Sequence, residues 1–293
     1  MEILVRLIKK EQLTEDIVKF DIEAPIIAEK ARAGQFVIIR THEEGERIPL
    51  TIADNDPEKG TVSIVVLRAG RTTCYLMNMA QGERILDVVG PLGRETEIEN
   101  FGKIAVVGGG VGIAPILPIT KSMKRAGNYV VSIIGAKNSQ SLILKEDMAA
   151  FSDESYVCTD DGSEGFHGFV SDFLSDYITA GENSKNSKNI DRVIAIGPVL
   201  MMRAVSEVTR KRQIKTVVSL NSIMVDGTGM CGACRVEVNK ETRFACVDGP
   251  EFDGHEVNFD LLLSRHKMYL KEEKESMDEY LKDHECKLLK HSI

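Results

Sequence analysis

"KIAVVGGGVGIAP", residues 103–115, decides how the rest of the chain is read. Lys103–Val107 has the make-up of a buried strand, and it feeds straight into Gly108, Gly109, Gly110 and, past Val111, Gly112. Glycines there tolerate positive φ and let backbone N–H groups approach a phosphate, whose charge the N-terminus of a following helix also favours. Pro115 suits the first turn of that helix, where a missing N–H costs nothing. The spacing Gly110-x-Gly112-x-x-Pro115 departs from the usual dinucleotide run, which ends in Gly or Ala. Alone, the loop is a weak signal, and a tight strand–helix turn is the competing reading.

Moving downstream, "YVVSIIGAKN" (129–138), "SYVCTDDGS" (155–163) and "RVIAIGPVLMMRAVSEVTRKR" (192–212) alternate strand and helix, and "KTVVSLNSI" (215–223) is a last strand. Such alternation predicts a parallel sheet covered by helices. Two of these strands end in polar or glycine turns, at Asp160-Asp161 and at Gly197-Pro198 with Met201 beyond. In an open α/β sheet those turns fall on the carboxyl edge with the glycine loop, where ligands bind. "AGENSKNSKNID", 180–191, is expected to be a surface loop.

Upstream, residues 1–100 are short Val- and Ile-rich runs, among them "IVKFDIEAP" (17–25), "GQFVIIRTH" (34–42), "IPLTIAD" (48–54), "GTVSIVVLRAG" (60–70) and "GERILDVVGPLG" (82–93). Their spacing fits an antiparallel barrel, with one helix at 72–79.

The segment "MVDGTGMCGACRV", 224–236, with "RFACVDGP", 243–250, gives Asp226-x4-Cys231-x2-Cys234-x11-Cys246. Plant-type 2Fe–2S proteins use Cys-x4-Cys-x2-Cys and a distant fourth Cys, so the match fails only at the first position, where aspartate stands. Gly227, Gly229, Gly232 and Ala233 are small enough to let backbone N–H groups turn toward cluster sulfurs. A Cys3Asp zinc site competes, although no second C-x-x-C is present. A redox dithiol would want its C-x-x-C at a helix start, without a third cysteine nearby. Cys74, Cys158 and Cys286 have no such context.

The net charge of −8 argues against nucleic acid or an acidic membrane surface as partner. No apolar run reaches the ~18 residues of a membrane helix, and the start resembles no signal peptide, so a cytoplasmic location is expected. The domain reading is a barrel over 1–100, a nucleotide-binding α/β domain over 101–221, a cluster module over 222–258 and a helical tail over 259–293.

A barrel, a Gly-x-Gly-x-x-Pro domain and a plant-type cluster in this order resemble the ferredoxin–NADP reductase superfamily. The resemblance covers about residues 1–258. Within it the chain is similar to two groups of electron-transfer subunits. One is the small subunits of NADH-dependent reduced ferredoxin:NADP oxidoreductases, also known as sulfide dehydrogenase beta subunits. The other, the alternative, is the electron-transfer subunits of dihydroorotate dehydrogenase. The first group carries an aspartate ligand to its cluster, matching Asp226, where the second normally has cysteine.

The resemblance implies an FAD between barrel and nucleotide domain, held by an Arg-x-Tyr-Ser motif. Here Leu50 and Thr51 take the Tyr-Ser positions, Pro49 lies between, and the arginine is displaced to Arg47. Thr51 is expected near flavin N5, Leu50 against the ring, and Leu67, Arg68, Gly70, Thr72 and Thr73 along the flavin and its pyrophosphate. NAD(H) is implied at Gly108–Gly112, Pro115, Asp160, Asp161, Gly197, Pro198 and Met201. The choice of NAD follows from the resemblance, since Lys137 and Ser139 in "GAKNSQS" offer groups suited to a 2′-phosphate. The implied activity is oxidoreduction: NADH reduces the flavin, and single electrons pass through a 2Fe–2S cluster to a larger iron–sulfur flavoprotein subunit of an electron-bifurcating heterodimer. A reading of another class, a nucleotide-sensing adaptor with structural zinc, stays open on the residues alone. The tail, with Leu261, Leu262, Leu263, Met268, Leu270, Met277, Tyr280, Leu281, Leu288 and Leu289 among dense charges, reads as a capping helix or as a docking element for the larger subunit.

Overall fold

The computed structural model describes residues 5–182 and 189–290, with 283–290 described by backbone only. The first sheet holds β1 (Val5–Thr14), β2 (Ile17–Glu23), β3 (Phe36–Arg40), β4 (Arg47–Asp56), β5 (Thr61–Leu67), β6 (Arg84–Ile85) and β7 (Asp87–Leu92), with α1 (Pro25–Lys30) and α2 (Arg71–Asn78). Its order is β6-β1-β2-β5-β4-β3-β7, antiparallel throughout. The two edge strands are separated in sequence by Leu86 alone, so the sheet curls until its edges nearly meet as a barrel. Val18, Phe20, Ile22, Ile39, Ile64 and Leu76 fill the interior. The run at 82–93, expected as one strand, is divided between β6 and β7. Helix α1 is an addition: Pro25 starts it, and Ile27 and Ala28 are buried.

The second sheet holds β8 (Lys103–Gly109), β9 (Tyr129–Ala136), β10 (Glu154–Thr159), β11 (Phe166–His167), β12 (Arg192–Ile196) and β13 (Lys215–Ser219). Its helices are α3 (Ile113–Arg125), α4 (Lys145–Ala150), α5 (Val170–Glu182) and α6 (Val199–Arg210). The strand order β11-β10-β9-β8-β12-β13 is parallel, and β8 is where it reverses direction. Every residue of β8 is buried, as a strand covered on both faces requires. Helix α5 extends to Glu182, past the start of the expected loop at 180–191; residues 183–188 of that loop lie outside those described.

The cluster module is a hairpin, β14 (Arg235–Val238) and β15 (Glu241–Phe244), followed by the short α7 (Ala245–Asp248). It is not a separate body. Strand β16 (Glu251–Asp253) pairs antiparallel with β13 and closes the edge of the second sheet. One core joins Phe36 and Ile38 of the barrel, Val107 and Val193 of the sheet, and Cys234, Val236 and Cys246 of the module. The tail is α8 (Phe259–His266) and α9 (Leu270–Lys290), broken at 267–269 rather than continuous.

Candidate functional site

The nucleotide loop sits at the point of strand reversal. After β8 the chain makes a single 3-10 turn, Gly110–Gly112, and enters α3, with Pro115 in its first turn. Gly110 has φ +55, and a Cβ there would meet nothing within 4 Å, so its backbone faces open space. Gly112 is the opposite case, because a Cβ would stand 2.7 Å from the Ile196 carbonyl carbon and 2.8 Å from Gly197 Cα. Gly109 lies against Pro198 and the Met201 thioether, and Gly197 against Met201 and the Gly109 carbonyl. The ends of β8 and β12, with Val111 half-buried above them, thus form one small-residue cradle. Asp160 and Asp161 are exposed beyond β10. Asp161 is a turn residue whose Oδ1 accepts the Ser163 N–H at 2.9 Å; the Ser163 side chain first, and its N–H second, hold the Asp161 carboxyl below the usual range.

Facing the cradle is the barrel wall. Helix α3 packs on β4, with Lys121 Nζ 2.9 Å from Asp54 Oδ2. Ala53 and Val65 share a core with Ile113 and Ile116. Ile48 and Leu50 pack toward the barrel interior, so strand alternation sends Pro49 and Thr51 to the outer face. Leu50, expected against the flavin ring, is packed against the barrel core. Arg47 does not stand free: its guanidinium is 3.6 Å from Asp87 on β7. Leu67 and Arg68 are exposed at the end of β5, Arg68 beside Asp16 at 3.5 Å. Next comes the N-terminus of α2. Thr73 Oγ1 accepts from Ala69 and Gly70 N–H, both at 3.0 Å, and Thr72 Oγ1 donates to Glu46 at 2.7 Å. The hydroxyls are therefore committed, and the first-turn N–H groups are the donors left for a phosphate. Gly70 leaves that approach open, since a Cβ there meets nothing within 4 Å.

The four expected cluster ligands lie on one loop and the turn beside it. Gly227, Gly229 and Gly232 all have positive φ, between 68 and 87 degrees, which the expected wrapping requires. Cys234 and Cys246 are buried with their sulfurs 3.1 Å apart, and Cys231 is exposed. Burial first, and the neighbouring Cys234 second, push the Cys246 thiol up to about 12. The Ala233 N–H points at Cys231 Sγ, 3.5 Å away. Asp226 accepts the Thr228 N–H at 3.0 Å and the Cys231 N–H at 2.9 Å, the Thr228 bond leading in holding it ionised below the usual range. Among the described residues no three His, Cys, Asp or Glu side chains already converge on a metal position. The loop brings together two pairs, Cys234–Cys246 and Asp226–Cys231. A donor set of soft thiols and one ionised carboxylate, with amides turned toward sulfur, fits an iron–sulfur cluster. Cys74 and Cys158 are buried core residues, and the Cys286 side chain lies outside those described.

Sequence reasoning missed the groups that hold these parts together. Gly227 packs on Ile38 and Leu92 of the barrel. Thr96 Oγ1 donates to the half-buried Glu251 at 2.6 Å, and Arg94 Nε to the Val247 carbonyl at 3.1 Å. No local pattern signals contacts between residues so distant in the chain.

Three family models match the chain: the oxidoreductase FAD-binding domain over residues 4–96, the oxidoreductase NAD-binding domain over 106–207, and the iron–sulfur cluster binding domain of dihydroorotate dehydrogenase B over 221–258. The chain is 47% identical over 279 residues to a Thermotoga maritima homologue of the dihydroorotate dehydrogenase B electron transfer subunit, covering 95% of this chain and 96% of that one. It is 30% identical over 259 residues to the electron transfer subunit of Geobacillus thermodenitrificans dihydroorotate dehydrogenase B, covering 85% and 96%. A chain from the structure of an NADH-dependent reduced ferredoxin–NADP oxidoreductase, solved in a study of flavin-based electron bifurcation, superposes with a TM-score of 0.88 at 46% identity, covering 95% of this chain and 98% of that one. No described helix is long and apolar enough to cross a membrane. With an FAD-binding barrel, an NAD-binding domain and an iron–sulfur cluster-binding domain in this order, the chain belongs to the oxidoreductase family that holds the dihydroorotate dehydrogenase B electron-transfer subunit and the matched chain of the ferredoxin–NADP oxidoreductase.

Proposed function

We propose that the chain is the small subunit of an electron-bifurcating ferredoxin:NADP oxidoreductase. In this role it carries electrons between NAD(H), FAD and a 2Fe–2S cluster toward a larger iron–sulfur flavoprotein subunit. The observation that carries the reading is the seat of the cluster loop. Gly227, beside Asp226, rests on Ile38 of β3, and Ile38 pairs directly with Pro49 of β4. Neighbouring strands lie ~4.8 Å apart, so the loop stands about one strand from the wall that faces the nucleotide cradle.

When bound, the flavin supplies the exchange between two-electron and one-electron chemistry that neither nicotinamide nor cluster performs alone. The chain's own residues bind and orient. Gly110 opens its backbone to a pyrophosphate, and the first turn of α2 offers N–H groups to a second one. Thr51 presents its hydroxyl on the outer face of β4. Cys231, Cys234 and Cys246 supply thiolates and Asp226 a carboxylate, with the Ala233 N–H aimed at sulfur. Met230, 88% exposed, precedes Cys231, and half-exposed Val225 precedes Asp226, which leaves the cluster side open to a protein partner. Asp226, where the dihydroorotate branch normally has cysteine, favours the ferredoxin:NADP reading over that alternative.

Anaerobic purification from the native cell tests the proposal. One FAD, about two irons and about two acid-labile sulfides per chain, together with a larger flavoprotein subunit, are the expected result. One zinc and no iron would overturn it in favour of a structural metal site.

A further inference from the structure

Helix α8 follows the matched cluster module in sequence, yet it reaches into the cysteine loop. Arg265 Nη2 donates to the Ala233 carbonyl at 2.9 Å, and Ala233 immediately precedes Cys234. One residue earlier, Arg235 Nη1 donates to the Gly232 carbonyl at 3.1 Å. Two consecutive carbonyls of the Cys-Gly-Ala-Cys loop therefore each carry a guanidinium. In a trans peptide the C=O and the following N–H point in opposite directions. Holding the Gly232 carbonyl outward turns the Ala233 N–H inward, and that N–H is the one found 3.5 Å from Cys231 Sγ. The Arg265 bond fixes the next peptide, Ala233–Cys234, in the same manner, with the Cys234 N–H opposite the held carbonyl.

The position of Arg265 is built rather than incidental. Asn258 caps α8, accepting the Leu261 N–H at 3.0 Å, and its amide donates to Glu237 of β14 at 2.7 Å. Phe259 and Leu262 are buried in the core that contains Cys234 and Cys246. The next residue, His266, hydrogen-bonds the backbone of Asn221, where the module begins. Among the described ion pairs none engages Arg265, so no carboxylate neutralises its charge.

We propose that Arg265 is a positioning residue for the cluster: it fixes the Ala233–Cys234 peptide with its N–H toward the sulfurs and places an unneutralised positive charge beside them, raising the cluster's reduction potential. This rests on the cluster reading above. Adding an electron adds negative charge, and a cation held in a partly buried position favours that state more than a solvated one does.

The test is a redox titration of the purified complex, monitored by the cluster's EPR signal, with iron release to a chelator measured in parallel. Arg265→Gln removes the charge and is expected to lower the equilibrium constant for cluster reduction roughly tenfold, with wild-type iron content at the start. Arg265→Lys keeps the charge without the planar fork, so it should hold the potential near wild type while iron leaves several-fold faster. Lys267→Gln, an equal change of charge on an exposed side chain two residues away, should leave both readings unchanged. A full complement of iron with wild-type potential and wild-type release in Arg265→Gln overturns the proposal. If that variant does not fold, Arg265→Lys decides, and unchanged iron release in it overturns the proposal. Wild-type protein without iron would instead overturn the cluster reading itself.

Discussion

Two alanine substitutions two residues apart in the nucleotide turn should produce opposite defects. At Gly112 an added methyl stands 2.7 Å from the Ile196 carbonyl carbon and 2.8 Å from Gly197 Cα, where ordinary contact begins at 3.4 Å. The Ile196 carbonyl oxygen is closer still; all of these neighbours are backbone, so no rotamer change relieves the clash, and the turn must open against the end of β12. That end pairs with β8 through Ile196 and Gly108, the last rung of the ladder beneath the cradle. Overpacking of this kind costs on the order of 3 kcal/mol, or roughly 6–12 °C of melting temperature for a unit of this size. Gly110 has φ +55 and nothing within 4 Å of its absent Cβ. Alanine there pays only the left-handed backbone strain, about 1 kcal/mol, but its methyl occupies the space a pyrophosphate needs. Calorimetry and NADH titration of the holoprotein separate the two. Gly112→Ala should melt far lower. Gly110→Ala should melt near wild type and bind NADH at least tenfold more weakly. Wild-type melting in Gly112→Ala, or wild-type NADH affinity in Gly110→Ala, would refute the reasoning.

Burial holds the Glu251 carboxyl up to about 7 despite its bond from Thr96 and the nearby Arg192. The folded state thus keeps a proton that an unfolded glutamate loses above about 4.5. The associated stability is complete below that value and is lost as pH rises through about 7. Glu251→Gln should flatten the fall in stability between these limits, and an unchanged pH profile of denaturant unfolding would count against it. Asp160 is exposed beyond β10, its N–H donating to the Ala136 carbonyl at 3.1 Å and its carboxylate in no described hydrogen bond, where a ribose 2′-phosphate would be repelled. Asp160→Ala should therefore shift the NADPH-to-NADH ratio of flavin reduction rates several-fold toward NADPH, and an unmoved ratio removes Asp160 from the nucleotide site. Asp226→Cys should retain a cluster of altered potential and Asp226→Ala should lose iron; an intact cluster of unchanged EPR signal in the alanine variant would make Asp226 a turn residue only.

The features legible in the sequence were those enforced locally. The glycine loop, the Val-rich buried strands and the cysteine spacing each need particular residues at particular separations, and the matched domains and fold agree with them. What was not legible depends on distant partners. Three residues, Glu251–Asp253, give no sign that they complete the edge of another domain's sheet. The displaced arginine, Arg47, has Asp87 as its ion-pair partner at 3.6 Å, on a strand distant in the chain. The tail was read as capping or docking. In the structure α8 caps, packing on α6 and β14, while α9 crosses to α2, where Asn78 Nδ2 donates to the buried Tyr280 hydroxyl at 3.1 Å. The apolar positions Leu261, Met268, Leu270 and Leu281 remain exposed, and the Leu288 and Leu289 side chains lie outside those described.

The most direct test of the central claim is an anaerobic stopped-flow reaction of the isolated chain with NADH, following flavin absorbance and freezing samples for EPR. If one chain holds the whole route, the flavin bleaches first and a reduced 2Fe–2S signal grows at the rate at which flavin absorbance partly returns. NADPH should produce the same sequence much more slowly. Flavin that bleaches with no cluster signal at any time, in protein shown to contain iron and sulfide, would contradict the account.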